Sequence, residues 1–271
     1  MSSDLAKQYH SLTFVLDGWG TKNTWDDWHL VPTSRPLVNP PTQKTNYVDI
    51  PGANGSIDLT GAVVRYPVFN NRSGSWEFIV VNGYDSWDEK FSEVADWLFG
   101  RNMKVILDDD PGFHYDGRFT LSNWKSNTNG TWSNLTINYT VGPYKISNES
   151  TIDDWLWDPF SFEHGYILPM YFKSIVVDTD SWDENTGFQI KDIHKMVGPM
   201  PVVPTVTVTD IQSGTYVQIK TFTSRNRTWS DPVNFYAGTH KNGSFRLDPY
   251  TTRIAIKGHA IVSIEFDYGR I

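Results

Sequence analysis

Thr131-Trp132-Ser133-Asn134-Leu135-Thr136-Ile137-Asn138-Tyr139-Thr140-Val141 alternates without interruption. Leu135, Ile137, Tyr139 and Val141 fall on one side, and Asn134, Thr136, Asn138 and Thr140 on the other. A period of two is the mark of a β-strand with one face buried and one face wet. Upstream, Ser75–Val81 places Trp76, Phe78 and Val80 on one face with Ile79 and Val81 opposite, so this strand is expected to be buried on both sides.

The same reading extends in both directions along the chain. Strands are predicted at Leu12–Leu16, Tyr47–Ile50, Lys104–Leu107, Gly117–Leu121, Thr205–Thr209, Tyr216–Lys220, Arg253–Lys257 and Ala260–Asp267. Turn residues separate them: Pro51-Gly52, Asn54-Gly55, Pro111-Gly112, Asp116-Gly117, Asn129-Gly130 and Asn242-Gly243. One segment departs from the pattern. Ser86-Trp-Asp-Glu89 is a capping box, and Phe91, Val94, Ala95 and Leu98 then recur at helical spacing until Gly100. A helix of about three turns is predicted between Trp87 and Phe99. A boundary near Gly142-Pro143 divides the chain into domains 1–145 and 146–271.

Composition agrees with a mainly β protein. Aromatics make up 15% of the 271 residues, with 12 Trp, 13 Tyr and 15 Phe, and these suit pleated, half-buried surfaces. Lys+Arg 23 against Asp+Glu 31 leaves a net charge of −8, and both halves of the chain are acidic. That balance offers no basic footprint for a nucleic-acid partner. With no Cys there are no disulfides, thiolate metal sites or Cys nucleophiles. The first ten residues carry no signal-like apolar run, and no stretch reaches the ~20 apolar residues of a membrane span. A soluble protein made in a reducing compartment, with no membrane partner, is the expectation.

Catalytic signatures are missing: no G-x-G-x-x-G, Walker loop, H-E-x-x-H or G-x-S-x-G occurs. No cofactor, no metal and no enzymatic activity are therefore expected. Asp108-Asp-Asp110 reads as a solvated hairpin loop, with a Ca²⁺ site as the sharper alternative. Asp178-Thr-Asp180-Ser-Trp-Asp183 begins like an EF-hand loop, but Asp183 stands where that loop requires Gly. A glycosidase would need a carboxylate pair, for which Asp178, Asp180, Asp183 and Glu184 are available. Trp155 and Trp157, with Phe160 and Phe162, suit either a buried interdomain seam or a sugar platform. Arg225, Arg227 and Trp229 form the densest basic-aromatic cluster, fitted to a loop rim or to a glycan or acidic partner.

The run Tyr47-Val-Asp-Ile-Pro-Gly-Ala-Asn-Gly-Ser-Ile-Asp-Leu-Thr60, followed by Tyr66-Pro-Val-Phe-Asn-Asn-Arg72 and Trp76-Glu-Phe78, is more particular than generic β sequence. It resembles the N-terminal domain of distal tail (Dit) proteins of siphophages of Gram-positive hosts. Their I-P-G-x-x-G-x-x-D-L-T segment and N-R ending correspond here to Ile50, Pro51, Gly52, Gly55, Asp58, Leu59, Asn71 and Arg72. Leu107–Pro111, Tyr115–Arg118, Trp157–Phe162 and the final Phe266-Asp-Tyr-Gly-Arg-Ile271 follow in the family's order. The resemblance is dense over residues 13–145 and patchy beyond.

That resemblance implies an N-terminal β-sandwich with one α-helix that builds a ring, and a C-terminal galectin-like (jelly-roll) β-sandwich facing outward. It implies a virion protein of the tail tip, made in the host cytoplasm. Six copies would form a ring joining the tail tube protein to the tail-associated lysin or fibre protein. DNA would pass through the lumen without specific binding, and the acidic balance predicts a neutral or negative channel wall. The outer domain would hold a receptor-binding protein or touch a cell-wall saccharide. Arg72 is expected to bond Asp58 or a neighbouring subunit. The alternative is a carbohydrate-binding β-sandwich module.

Overall fold

Strand β9 (Ser133–Val141) pairs antiparallel with β6 (Arg72–Val80) along its whole length, from Arg72↔Val141 to Val80↔Ser133. The alternating apolar residues of both strands point into one core, where Trp76, Phe78, Val80, Leu135, Ile137, Tyr139 and Val141 are buried. The opposite face of β6 is wetter than expected. Ile79 is only half-buried and Glu77 is exposed, so one side of this strand is core and the other is not. The computed structural model describes residues 9–62, 64, 66–80, 87–126, 133–152, 172–182, 190–193, 197–211 and 216–271. They divide into two units, residues 1–145 and 146–270.

In the first unit the strand order is β2-β1-β7-β8-β9-β6-β3. It is built from β1 (Leu12–Leu16), β2 (Gly20–Asn23), β3 (Leu30–Pro32), β7 (Asn102–Leu107) and β8 (Phe113–Ser126), besides β6 and β9. The sheet curls. Its two end strands are consecutive in sequence, and Thr24 takes a backbone bond from Leu30 (2.7 Å) while donating one to Leu12 (2.9 Å). A bulge after Leu121 bends β8 where it leaves register with β9. Helix α1 (Trp87–Leu98) lays Val94 and Leu98, with partly buried Phe91, against the core. It stops where Phe99 and Gly100 turn to positive φ (31° and 61°). The capping residue Ser86 lies outside the described residues. Rings fill the centre: Trp76 stacks on Tyr139 (centroids 4.3 Å apart), and Phe14 meets Phe119 edge-on at 5.1 Å.

The second unit departs from expectation at its longest strand. Arg253–Lys257 and Ala260–Asp267 are not two strands, because β18 runs unbroken from Thr251 to Glu265. Its first half lies between β14 (Val217–Thr223) and β12 (Ile190–Asp192). Its second half lies between β13 (Thr205–Thr209) and β11 (Ile175–Thr179). The change falls at Gly258, whose φ of 143° and close approach to Val217 are tolerated because it has no side chain. One strand thus serves two sheet surfaces, and both turn their apolar residues inward. Val217, Ile219, Ile254 and Ile256 from one surface meet Val206, Val208, Val262 and Ile264 from the other in a single core. Strands β15 (Thr228–Trp229), β16 (Val233–Phe235) and β17 (Gly238–Lys241) complete this sheet, and β10 (Lys145–Ser150) pairs with β19 (Asp267–Arg270). The fold is mainly β throughout, in curled antiparallel β-sandwich form.

Candidate assembly surface

The strand predicted at Tyr47–Ile50 forms, and both of its faces are exposed. β4 (Tyr47–Asp49) and β5 (Ser56–Asp58) pair only with each other, Tyr47↔Asp58 through Asp49↔Ser56. Neither side of this hairpin is covered. Tyr47, Val48, Ile50, Ile57 and Leu59 are each between 40% and 60% exposed. The tip Ile50-Pro-Gly-Ala-Asn-Gly55 needs its glycines, since Gly52 and Gly55 adopt φ of 85° and 78°. A lone two-stranded hairpin has little stability in water, and five exposed apolar side chains on one make it a candidate contact surface. We call it the arm.

The base of the arm is tied down by backbone bonds. Leu59 donates to Asn46 O (2.8 Å), Lys44 to Val68 O (2.8 Å) and Asn70 to Thr42 O (2.8 Å). Asp58 does not meet Arg72. It accepts from the Thr60 backbone (2.9 Å), and bonds from the Thr60 side chain and backbone hold its carboxyl below the ordinary carboxylate range.

Arg72 is buried, and its partners are main-chain carbonyls. Its Nε and Nη2 both donate to Pro143 O (2.9 and 2.7 Å), Nη1 reaches Asn39 O at 3.4 Å, and the guanidinium lies 5.3 Å from the Tyr115 ring centroid. Asn39 in turn takes the Tyr139 hydroxyl on its N–H (3.0 Å) and donates to Ser73 O (2.9 Å). Trp76 Nε1 holds Leu37 O at 2.9 Å. Residues 37–39, which lead into the arm, are therefore strapped onto β6 and β9. Asn71, at the head of β6, is exposed. The segment with the two glycines and the Asn-Arg pair are one device: an arm, and the anchor of its root. Burial lowers the Arg72 pKa, but from a value so high that it stays charged at neutral pH, and burial raises that of Tyr115.

The carboxylates singled out in the sequence are dispersed among separate partners. Asp108 is buried under Thr13 Oγ1 (3.3 Å) and Asn23 Nδ2 (3.2 Å), Asp109 pairs with His10 (2.8 Å) and Arg35 (2.7 Å), and Asp110 pairs with Lys145. Burial alone would raise the Asp109 carboxyl, but the bonds from His10 and Arg35 outweigh it and lower its pKa. Asp178 and Asp180 both accept from His259, which sits across β11 on β18. Asp183 and Glu184 lie outside the described residues. No cluster of three His, Asp or Glu able to hold a metal occurs among the described residues.

Trp155 and Trp157 also lie outside the described residues. Arg225 stacks on Tyr250 (5.1 Å) in the turn between β14 and β15, while Arg227 stands at the turn's end with φ 51°. Trp229 faces elsewhere, against Phe222 (5.2 Å) and under Lys220 Nζ (4.9 Å). The cluster read as one patch is thus split. The sequence reading missed Lys220, Lys257 and Trp182, because strand register rather than sequence proximity brings them together. On the first unit, Trp19 and Phe99 are further exposed rings, 71% and 76% exposed, with Arg101 at 4.9 Å from the Trp19 ring.

No family model and no curated protein matches this chain. Among solved structures it is similar to the SPP1 Dit protein, described as a paradigm of the hub adsorption apparatus in phages infecting Gram-positive bacteria. Identity is 13%, the match covers 96% of this chain and 99% of that one, and the TM-score is 0.59. The P2 baseplate in its activated conformation also matches at 12% identity over 97% of this chain and 98% of that chain. Its TM-score of 0.36 is too slight to carry weight. Over 96% of its length, the chain has a fold similar to that of the SPP1 Dit protein.

Proposed function

We propose that this chain is a distal tail protein of a siphophage, a structural virion component of the tail tip. Residues 1–145 form a homohexameric ring, and residues 146–271 form an outward, galectin-like domain. The ring joins the tail tube protein to the tail-associated lysin or fibre protein and lets DNA pass through a neutral or negative lumen. No bond is made or broken by it. The observation that carries the reading is the exposed apolar arm with its anchored root, on a chain whose fold is similar to that of a phage Dit protein over 96% of its length. A closed ring needs two unlike patches on each copy. The arm is a candidate for one, and the Trp19/Phe99 region for the other.

Six copies of a 31.0 kDa chain weigh about 186 kDa. Light scattering after size exclusion is expected to give that mass, and negative-stain images an annulus with a hole. Ile50→Asp combined with Ile57→Asp is expected to yield monomers with an unchanged circular dichroism spectrum. A double variant that still forms rings overturns the role given to the arm, and a wild-type protein that stays monomeric counts against a ring that forms without partners. A channel wall lined by Lys and Arg would refute the lumen's charge.

A further inference from the structure

On the second unit, β14 and the first half of β18 lie side by side with Gln218↔Lys257, Lys220↔Ala255 and Phe222↔Arg253 in register. Val217, Ile219 and Thr221 turn inward, so Gln218, Lys220 and Phe222 turn outward beside Arg253 and Lys257. β15 adds Trp229 opposite Phe222, and Trp182 comes in from beyond β11. The Lys220 ammonium ends 4.2 Å from the Trp182 ring centroid and 4.9 Å from that of Trp229, and Lys257 Nζ lies 5.9 Å from Trp182. Neither lysine pairs with a carboxylate among the described residues. Burial, and then the charge of Lys257, lowers the Lys220 pKa. Arg253, by contrast, has Asp192 opposite it in the ladder. Gln218 and Asn234, bonded at 3.1 Å, edge the same face with polar groups.

Two like charges with no carboxylate partner among the described residues, in a protein of net charge −8, make a local exception to the acidic balance. An anion between them would relieve their repulsion. The indoles narrow the class of anion. Their broad apolar faces suit the C–H face of a pyranose ring, while Gln218 and Asn234 suit hydroxyls. A bare phosphate would use only the lysines and a neutral sugar only the rings. Single-stranded nucleic acid also combines bases with phosphates, but it asks for a basic groove several nucleotides long, which two lysines do not supply. We propose that the face formed by Trp182, Lys220, Trp229 and Lys257 binds an acidic saccharide, its acid group at the two ammoniums and its ring against indole. This site does not depend on ring assembly.

The test is a titration of the full-length protein, followed by tryptophan fluorescence. The probes are oligogalacturonate and dextran phosphate, with neutral dextran, inorganic phosphate and a dT oligonucleotide as comparators. At least one acidic saccharide is expected to quench fluorescence saturably, and to bind more weakly as salt rises. Lys220→Gln with Lys257→Gln is expected to weaken that binding by roughly tenfold or more while circular dichroism is unchanged. Trp229→Ala should weaken it as well. The proposal is overturned if neither acidic saccharide binds, if neutral dextran, phosphate or dT binds as tightly, or if the double lysine variant binds like wild type. Because a monomer serves equally well, these outcomes are independent of whether rings form.

Discussion

Replacing Arg72 by Met keeps most of the buried stem and removes the guanidinium, which isolates what the charge does. Two bonds to Pro143 O at 2.9 and 2.7 Å disappear, with the longer one to Asn39 O and the contact with Tyr115 at 5.3 Å. Hydrogen bonds from a charged donor contribute about 1.5–3 kcal/mol each, but here two share one acceptor and count for less than double. The cation–π contact adds about 1 kcal/mol. Relief from burying a charge returns part of this, so the net loss should be about 2–4 kcal/mol. For a unit of this size, at about 3 °C per kcal/mol, the melting temperature should fall by about 6–12 °C. Circular dichroism melts measure the drop, and hydrogen exchange at the amides of residues 37–39 and 42–44 should rise with it, since their strap is cut. Asp58→Asn should leave the melt unchanged, because Asp58 is exposed and only caps Thr60. If Arg72→Met melts within about 2 °C of wild type, Arg72 is not the anchor of this strap. An Asp58→Asn variant as unstable as Arg72→Met would restore the ion pair read from the sequence.

Gly117 lies between β7 and β9, where an added methyl would run into Thr140 O and come within 2.7 Å of Val141 Cα. Gly117→Ala should cost about 1–3 kcal/mol in urea unfolding, and a cost under about 0.5 kcal/mol would show that the sheet opens freely there. His259 accepts a raised pKa chiefly from its bond to Asp178, then from that to Asp180. A pKa raised on folding means the interaction is complete below the ordinary ~6.5 and fades as pH climbs through the raised value. An NMR titration should place His259 above ~6.5 and Asp178→Asn should lower it; a wild-type midpoint at or below ~6.5 would contradict the contact.

The resemblance carried by Ile50–Leu59 and Asn71-Arg72 pointed to the right fold, yet the local reading of those residues was incomplete. Period-two apolar spacing at Tyr47–Ile50 says that a strand forms. It is silent on whether another layer covers it, and among the described residues none does. Opposite charges invite a bond from Arg72 to Asp58 or to a neighbouring subunit, but its partner is a carbonyl 71 positions away, brought close by the β6–β9 ladder.

What the sequence determined alone were features set within a few residues. These include the alternation of Leu135–Val141, β1 at Leu12–Leu16, β13 at Thr205–Thr209, and the helix through Val94 and Leu98 up to Gly100. Each follows from side-chain period and backbone preference, which neighbours in the chain control. The tertiary structure decided that two apparent strands are one β18 bending at Gly258, that Arg72 anchors rather than bridges, and that Trp182 shares a face with Trp229. Those outcomes depend on strand order and register across tens of residues, and a local hydrophobic pattern is the same whichever strand lies next to it.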